Sequence, residues 1–105
     1  MLEITNANFK HEVLDAKQAV IVDFWAPWCM PCKILAPAVE ELAKEMAGKV
    51  KVAKANVDES PEIANELSIL NIPTLVFFKD GKEAARMIGV NSKEAIRSKI
   101  EALIG

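Results

Sequence analysis

Cysteine is scarce in this chain. Only Cys29 and Cys32 occur among 105 residues, too few to be the main staple of a small secreted scaffold. A chain that is 51% hydrophobic has enough apolar material to form a single core without them. Histidine is scarcer still, with His11 alone on a segment expected to be an exposed helix. One Cys-x-x-Cys with no second pair argues against tetrahedral zinc, which needs four ligands, and no metal is expected. Runs of like charge are missing as well: 13 basic and 15 acidic residues leave a formal net charge of -2, spread along the chain. That excludes the basic footprint by which proteins hold nucleic acid or an anionic membrane surface. No apolar stretch approaches the roughly 18 residues that cross a membrane. The opening MLEITNANFK lacks the basic-then-apolar layout of a signal peptide, so a cytoplasmic protein is expected. Repeats, low-complexity stretches and linkers are absent too, and residues 1–105 read as one domain.

What is present is a regular alternation of strand-like and helix-like blocks. Leu2 to Ile4 reads as a short strand, followed from Asn6 by a helix capped by Thr5 or Asn6, with Phe9 and Val13 on one face. AVIVDFW, residues 19–25, is β-branched, aromatic and apolar on both faces, the pattern of a central parallel strand covered on each side; Asp23 is its one exception. After the cysteines, Leu35, Val39, Leu42 and Met46 fall at helical spacing up to Gly48, with Pro37 expected to kink the helix. Val50 to Val57 is the next strand. Ser60-Pro61 opens a short helix to about Ser68. Thr74 to Phe78 and Glu83 to Ile88 form a hairpin across Lys79-Asp80-Gly81-Lys82, whose Asp-Gly pair is a strong turn signal. A last helix runs from Asn91 or Ser92 to about Leu103, with Glu94 placed for a capping box if Asn91 is the cap. Phe24, Phe77, Phe78 and every methionine but Met30 are expected in the core, and Pro27 in a loop. The order βαβαβαββα describes an α/β fold: a central mixed sheet flanked by helices on both faces.

This frame places Cys29 and Cys32 just past the carboxyl end of a central strand and at the amino end of a helix. Open α/β sheets put their chemistry there. Unpaired N–H groups and the positive end of the helix dipole favour an anion, and a thiolate is one. Cys29, at or next to the cap, is expected to have a lowered pKa; Cys32, a turn further in, is expected to be less exposed and less affected. Met30 and Pro31 suit a tight turn into the helix and bring the sulfurs within bonding reach. An inert disulfide is a poor alternative, because closing a two-residue loop removes little chain entropy. A reactive redox pair is the better account.

WAPWCMPCK, preceded by VDF and followed downstream by NIPTLVFFKDGKE and IGV, closely resembles the thioredoxin family. The resemblance covers essentially the whole chain and keeps the element order above. It implies a protein-disulfide reductase in which Cys29 attacks a disulfide of a client protein and Cys32 resolves the mixed disulfide. Asp23 would assist proton transfer from Cys32, and Lys54 would lie near that acid and tune it. Read without the resemblance, a hydrogen-bonded buried acid with no kinetic role is the lesser alternative for Asp23, whereas an ordinary exposed strand lysine is the favoured reading of Lys54. Trp28, Met30, Pro31, Ile72, Pro73, Gly89 and Val90 would meet the client, with the Ile72 backbone adding the client as a strand and the bond before Pro73 cis. Trp25, by default a packing residue, would shield the acid and the disulfide. No bound cofactor is implied. Client proteins and a thioredoxin reductase are the implied partners of a monomeric domain.

Met30 departs from the family pattern, which has glycine between the first cysteine and the proline. Methionine adds bulk and a polarisable sulfur but no charge, so its effect on thiolate stability is expected to be small. Two other functions fit the same residues. An oxidase or isomerase on this fold differs from a reductase in its potential. A binding subunit would carry the same surface with its redox activity incidental.

Overall fold

A computed structural model describes residues 1–105. The strands are β1 (Leu2–Glu3), β2 (Val20–Trp25), β3 (Lys51–Asn56), β4 (Thr74–Lys79) and β5 (Lys82–Ile88); the helices are α1 (Met30–Glu45), α2 (Pro61–Glu66) and α3 (Lys93–Ile104). The sheet runs β1-β3-β2-β4-β5. β3 is parallel to both β1 and β2, whereas β4 is antiparallel to β2 and to β5. β2 is therefore central, as its two-faced apolar character requires, but only one of its neighbours is parallel.

Side-chain alternation divides the core into two layers. Val20, Val22 and Phe24 of β2 face a layer shared with Phe9, Val13 and Ile63, in which Phe9 and Phe78 meet edge to face at 5.9 Å. Ile21 faces the other way, into a layer closed by Leu35, Val39 and Leu42 of α1 and Ile96 and Ile100 of α3. Asp23 shares the parity of Ile21 and so falls on the α1 side of the sheet.

Several local expectations need correction. The segment after β1 is not an ordinary helix: Lys10–Leu14 is π-helical, and the Asp15 N–H donates to the Lys10 carbonyl at 2.8 Å. Neither Thr5 nor Asn6 caps it, since the Asn8 side chain accepts from the Thr5 N–H at 2.7 Å. Asn6 instead accepts from the Ile63 N–H at 3.2 Å and donates to the Glu62 carboxylate, so it caps α2 from across the fold. Ser60 occupies the cap position of α2 but makes no side-chain cap bond. At α3 the cap is Ser92, whose hydroxyl accepts from the Ala95 N–H at 3.1 Å, and this removes the proposed box between Asn91 and Glu94. Pro37 lies inside α1, which runs on to Glu45, and has no N–H to offer the Lys33 carbonyl, as a kink there would require. Of the methionines expected inside, Met46 is buried, Met87 is partly so and Met1 is exposed.

The hairpin behaves as its Asp-Gly signal requires. Asp80 and Gly81 have φ of 53° and 76°, the primed geometry that matches strand twist. An irregularity at Phe77/Phe78 leaves Ala84 without a partner in an otherwise regular ladder. No helix is long and apolar enough to cross a membrane.

Candidate active site

β2 ends at Trp25, and the chain turns through Ala26-Pro27-Trp28 before α1 starts. The Cys29 N–H closes that turn on the Ala26 carbonyl at 3.1 Å. Cys29 is then the N-cap of α1, in extended conformation at φ -90°, ψ 108°. Its Sγ takes the place a capping oxygen would occupy and accepts from the Cys32 N–H at 3.3 Å. Met30 and Pro31 fill the first two helical positions, where a missing N–H costs nothing. No acidic residue lies in the first turn, so the positive end of a 16-residue helix acts on Cys29 Sγ uncompensated.

Cys29 and Cys32 are joined in a disulfide, with their Cα atoms 5.3 Å apart. The expected difference in exposure between them is absent, because Cys29 is 4% exposed and Cys32 3%. Both sulfurs pack with Ala26 against Trp25, Val57 and Ile72. Next to this covered pair Trp28 is 69% exposed and Met30 64%, and Leu70, two residues before Ile72 in the chain, is 88% exposed. Ile34, one turn after Met30 on α1, and Val90 are exposed as well.

The loop before β4 brings its backbone to the sulfurs. The Ile72-Pro73 bond is cis, and the Ile72 carbonyl oxygen lies 3.8 Å from Cys29 Sγ. The Ile72 N–H donates to no group of the chain. Pro73 is buried and Ile72 half-buried, so Pro73 supports this edge from behind rather than forming its rim. Gly89 joins the same corner through its N–H, which donates to the Pro73 carbonyl at 2.8 Å.

Behind the disulfide is a cavity of about 450 Å³, whose lining includes Cys32, Asp23, Trp25 and Lys54. Asp23 is 5% exposed, and its Oδ1 has no hydrogen-bond partner. Burial pushes its carboxyl up from an ordinary 3.8 to about 7, with the Lys54 ammonium offsetting part of the rise. Lys54 is no ordinary surface lysine. It is half-buried and stands beside Asp23 in the β2–β3 register, with Nζ 4.7 Å from the centre of the Trp25 ring. A cavity of this volume has room for water between Asp23 and Cys32.

The thioredoxin family model matches residues 1–102. The chain belongs to the thioredoxin family. It is 48% identical over 103 residues to a thioredoxin of Chlorobaculum thiosulfatiphilum, covering 98% of this chain and 95% of that one. To thioredoxin 1 of a Nostoc species it is 44% identical over 99 residues, covering 94% and 92%. A thioredoxin of Mycobacterium bovis is 42% identical over 103 residues, with 98% and 89% covered. Thioredoxin membership and the Cys29–Cys32 pair make the protein a thiol-disulfide oxidoreductase with reductase function. Disulfide substrates and a thioredoxin reductase are the general kind of partner that the thioredoxin family implies.

Sequence reasoning overlooked several residues around this thioredoxin site. Asp58 accepts from Trp28 Nε1 at 2.8 Å and so fixes the indole beside Cys29, a pairing across 30 residues that no local pattern signals. Leu70 and Ile34 are large apolar side chains left in solvent. Both are apolar residues at exposed positions, and sequence alone could not distinguish them from core.

Proposed function

We propose that the protein reduces disulfides in client proteins by a two-step exchange. The Cys29 thiolate attacks one sulfur of the client disulfide; the other client sulfur leaves as a thiolate and takes a proton from water. The ionised Asp23 then accepts the proton of the Cys32 thiol, directly or through water in the cavity. Cys32 attacks Cys29 Sγ, the intramolecular disulfide forms, and the second client sulfur departs. Two electrons pass to the client, and a thioredoxin reductase returns them. The observation that carries this reading is Cys29 Sγ at the α1 cap, where the Cys32 N–H already donates to it. A carboxyl titrating at about 7 is suited to exchange a proton near neutral pH.

Trp28, Met30, Pro31, Ile72, Gly89 and Val90 form the client surface in this account, with the buried Pro73 backing it. The free Ile72 N–H supports pairing with an extended client segment as an added strand. The protein works as a single domain, as a monomer in the cytoplasm, carrying electrons between reductase and clients.

The test is turnover of an insulin-like disulfide substrate together with the potential of the Cys29–Cys32 couple. Cys29→Ser should abolish reduction, and Cys32→Ser should trap the client as a stable mixed disulfide. A potential near about -270 mV fits a reductase; that is the reference value for thioredoxins themselves, not one derived from this chain's residues. One at about -180 to -120 mV assigns an oxidant or isomerase instead. Serine variants that still sustain a partner's activity would identify a binding subunit.

A further inference from the structure

The charge beside Asp23 does not belong to Lys54 alone. Glu3 of β1 is in register with Lys54 of β3, which is itself in register with Asp23 of β2. Residues paired in register project to the same face, so an acid, a base and an acid form one row across three adjacent strands. The inner acid is buried and the outer one exposed. Lys54 Nζ, between them, lies 4.0 Å from Glu3 Oε1 and over the Trp25 ring. It makes no hydrogen bond to Asp23, whose Oδ1 has no partner.

We infer that Glu3 is a positioning residue for proton transfer, drawing the Lys54 ammonium outward along this row so that Asp23 is left free to take and release the Cys32 proton. The inference rests on the proton-accepting role of Asp23 proposed above. A cation seated on Asp23 would hold the carboxylate ionised and make it a weak base. Shared with Glu3 and Trp25, the same cation offsets only part of the effect of burial. Other charges face the cavity. From α1 come Lys33, Glu40 and Lys44, all exposed to solvent, and Met1 lines it ahead of β1. Those three α1 side chains are screened by water. Lys54 is the one charged group whose field reaches Asp23 appreciably, and Glu3 is the acid that touches it.

The experiment is a carbon-13 titration of the Asp23 carboxyl by nuclear magnetic resonance in the oxidised protein. Glu3→Gln should lower the Asp23 midpoint by more than twice the roughly half pH unit that direct repulsion between unit charges two strands apart supplies in a medium between protein and water, the excess acting through Lys54. Glu3→Asp keeps the charge and should stay closer to the wild-type midpoint than Glu3→Gln. Lys54→Gln should raise the midpoint, and in that background Glu3→Gln should have less than half of its effect. The inference is overturned if Glu3→Gln leaves the midpoint in place or raises it. It is overturned equally if Glu3→Asp shifts it as far as Glu3→Gln, or if Lys54→Gln leaves the Glu3 effect undiminished. A separate measurement judges the role of Asp23: with Cys32 intact, the pH profile for resolution of the transient mixed disulfide, followed by rapid mixing, should follow the carboxyl midpoint in each variant. Wild-type resolution by Asp23→Asn would remove the proton role while leaving the midpoint shifts to be judged on their own.

Discussion

At the scale of single residues, one substitution can relieve stability while it impairs chemistry. Asp23 has a folded pKa of about 7 against an ordinary 3.8, so the folded state binds its proton more tightly than the unfolded chain. A carboxyl raised in this way costs nothing below the unfolded value and an increasing amount as pH rises towards 7. The full cost is on the order of 4 kcal/mol for about three units. Asp23→Asn should therefore stabilise the protein by a few kcal/mol at about pH 8 in urea unfolding, with the gain vanishing as pH falls to about 4. In the same variant, resolution of the mixed disulfide should slow. Met30 poses the opposite case, an exposed side chain beside the sulfurs with neither charge nor strong donor. Met30→Gly should shift the couple by less than about 30 mV in equilibration against glutathione, which corresponds to about 1.4 kcal/mol for two electrons. A larger shift would show that methionine bulk acts on the thiolate.

Within the elements, caps and turns explain how short segments hold their places. α2 has 6 residues, too short to stand alone, and its cap comes from Asn6 rather than from its own Ser60. Asn6→Ala should cost about 1 kcal/mol, read as a lower urea midpoint at constant slope. Gly81 answers two demands at once. Its φ is 76°, and a methyl group on its Cα would stand 2.5 Å from the Leu14 carbonyl oxygen. Gly81→Ala should therefore cost at least about 1 kcal/mol by the same measurement, since the left-handed backbone alone carries a penalty of that size. The π-helical segment ends at that carbonyl, so the hairpin turn and the first helical segment pack as one unit.

Across the whole molecule, α1 is tied at both ends. Its amino end carries the disulfide; near its carboxyl end, Glu45 receives Lys93 and Arg97 of α3, both at 2.5 Å, and Lys93 also reaches Glu41 at 2.8 Å. Hydrogen bonds from Lys93 and then Arg97 hold the Glu45 carboxyl below its ordinary value. A lowered carboxyl pKa stabilises above the unfolded value and loses that contribution as pH falls through the folded one. Glu45→Gln should thus reduce stability modestly at neutral pH and low salt. The difference from wild type should close in acid and at high salt, because these groups are exposed. The element order was legible in the sequence because each signal for it is local: apolar alternation in β2, helical spacing after Cys32, Asp-Gly between β4 and β5. So was the redox pair, because a strand end followed by a helix cap places Cys29 in the field of α1 with no long-range contact required. A buried acid in β2 was legible as well, although its setting was not. The sequence by itself determined which faces are apolar and where the thiols enter the helix. Only the tertiary structure decided that Lys54 lies between Asp23 and Glu3, that Asp58 holds Trp28, that Asn6 caps α2, and that both cysteines are equally covered. The physical reason is that periodicity reports how one element meets its environment. Partners tens of residues apart are chosen by strand order and register, which no local window of the chain contains.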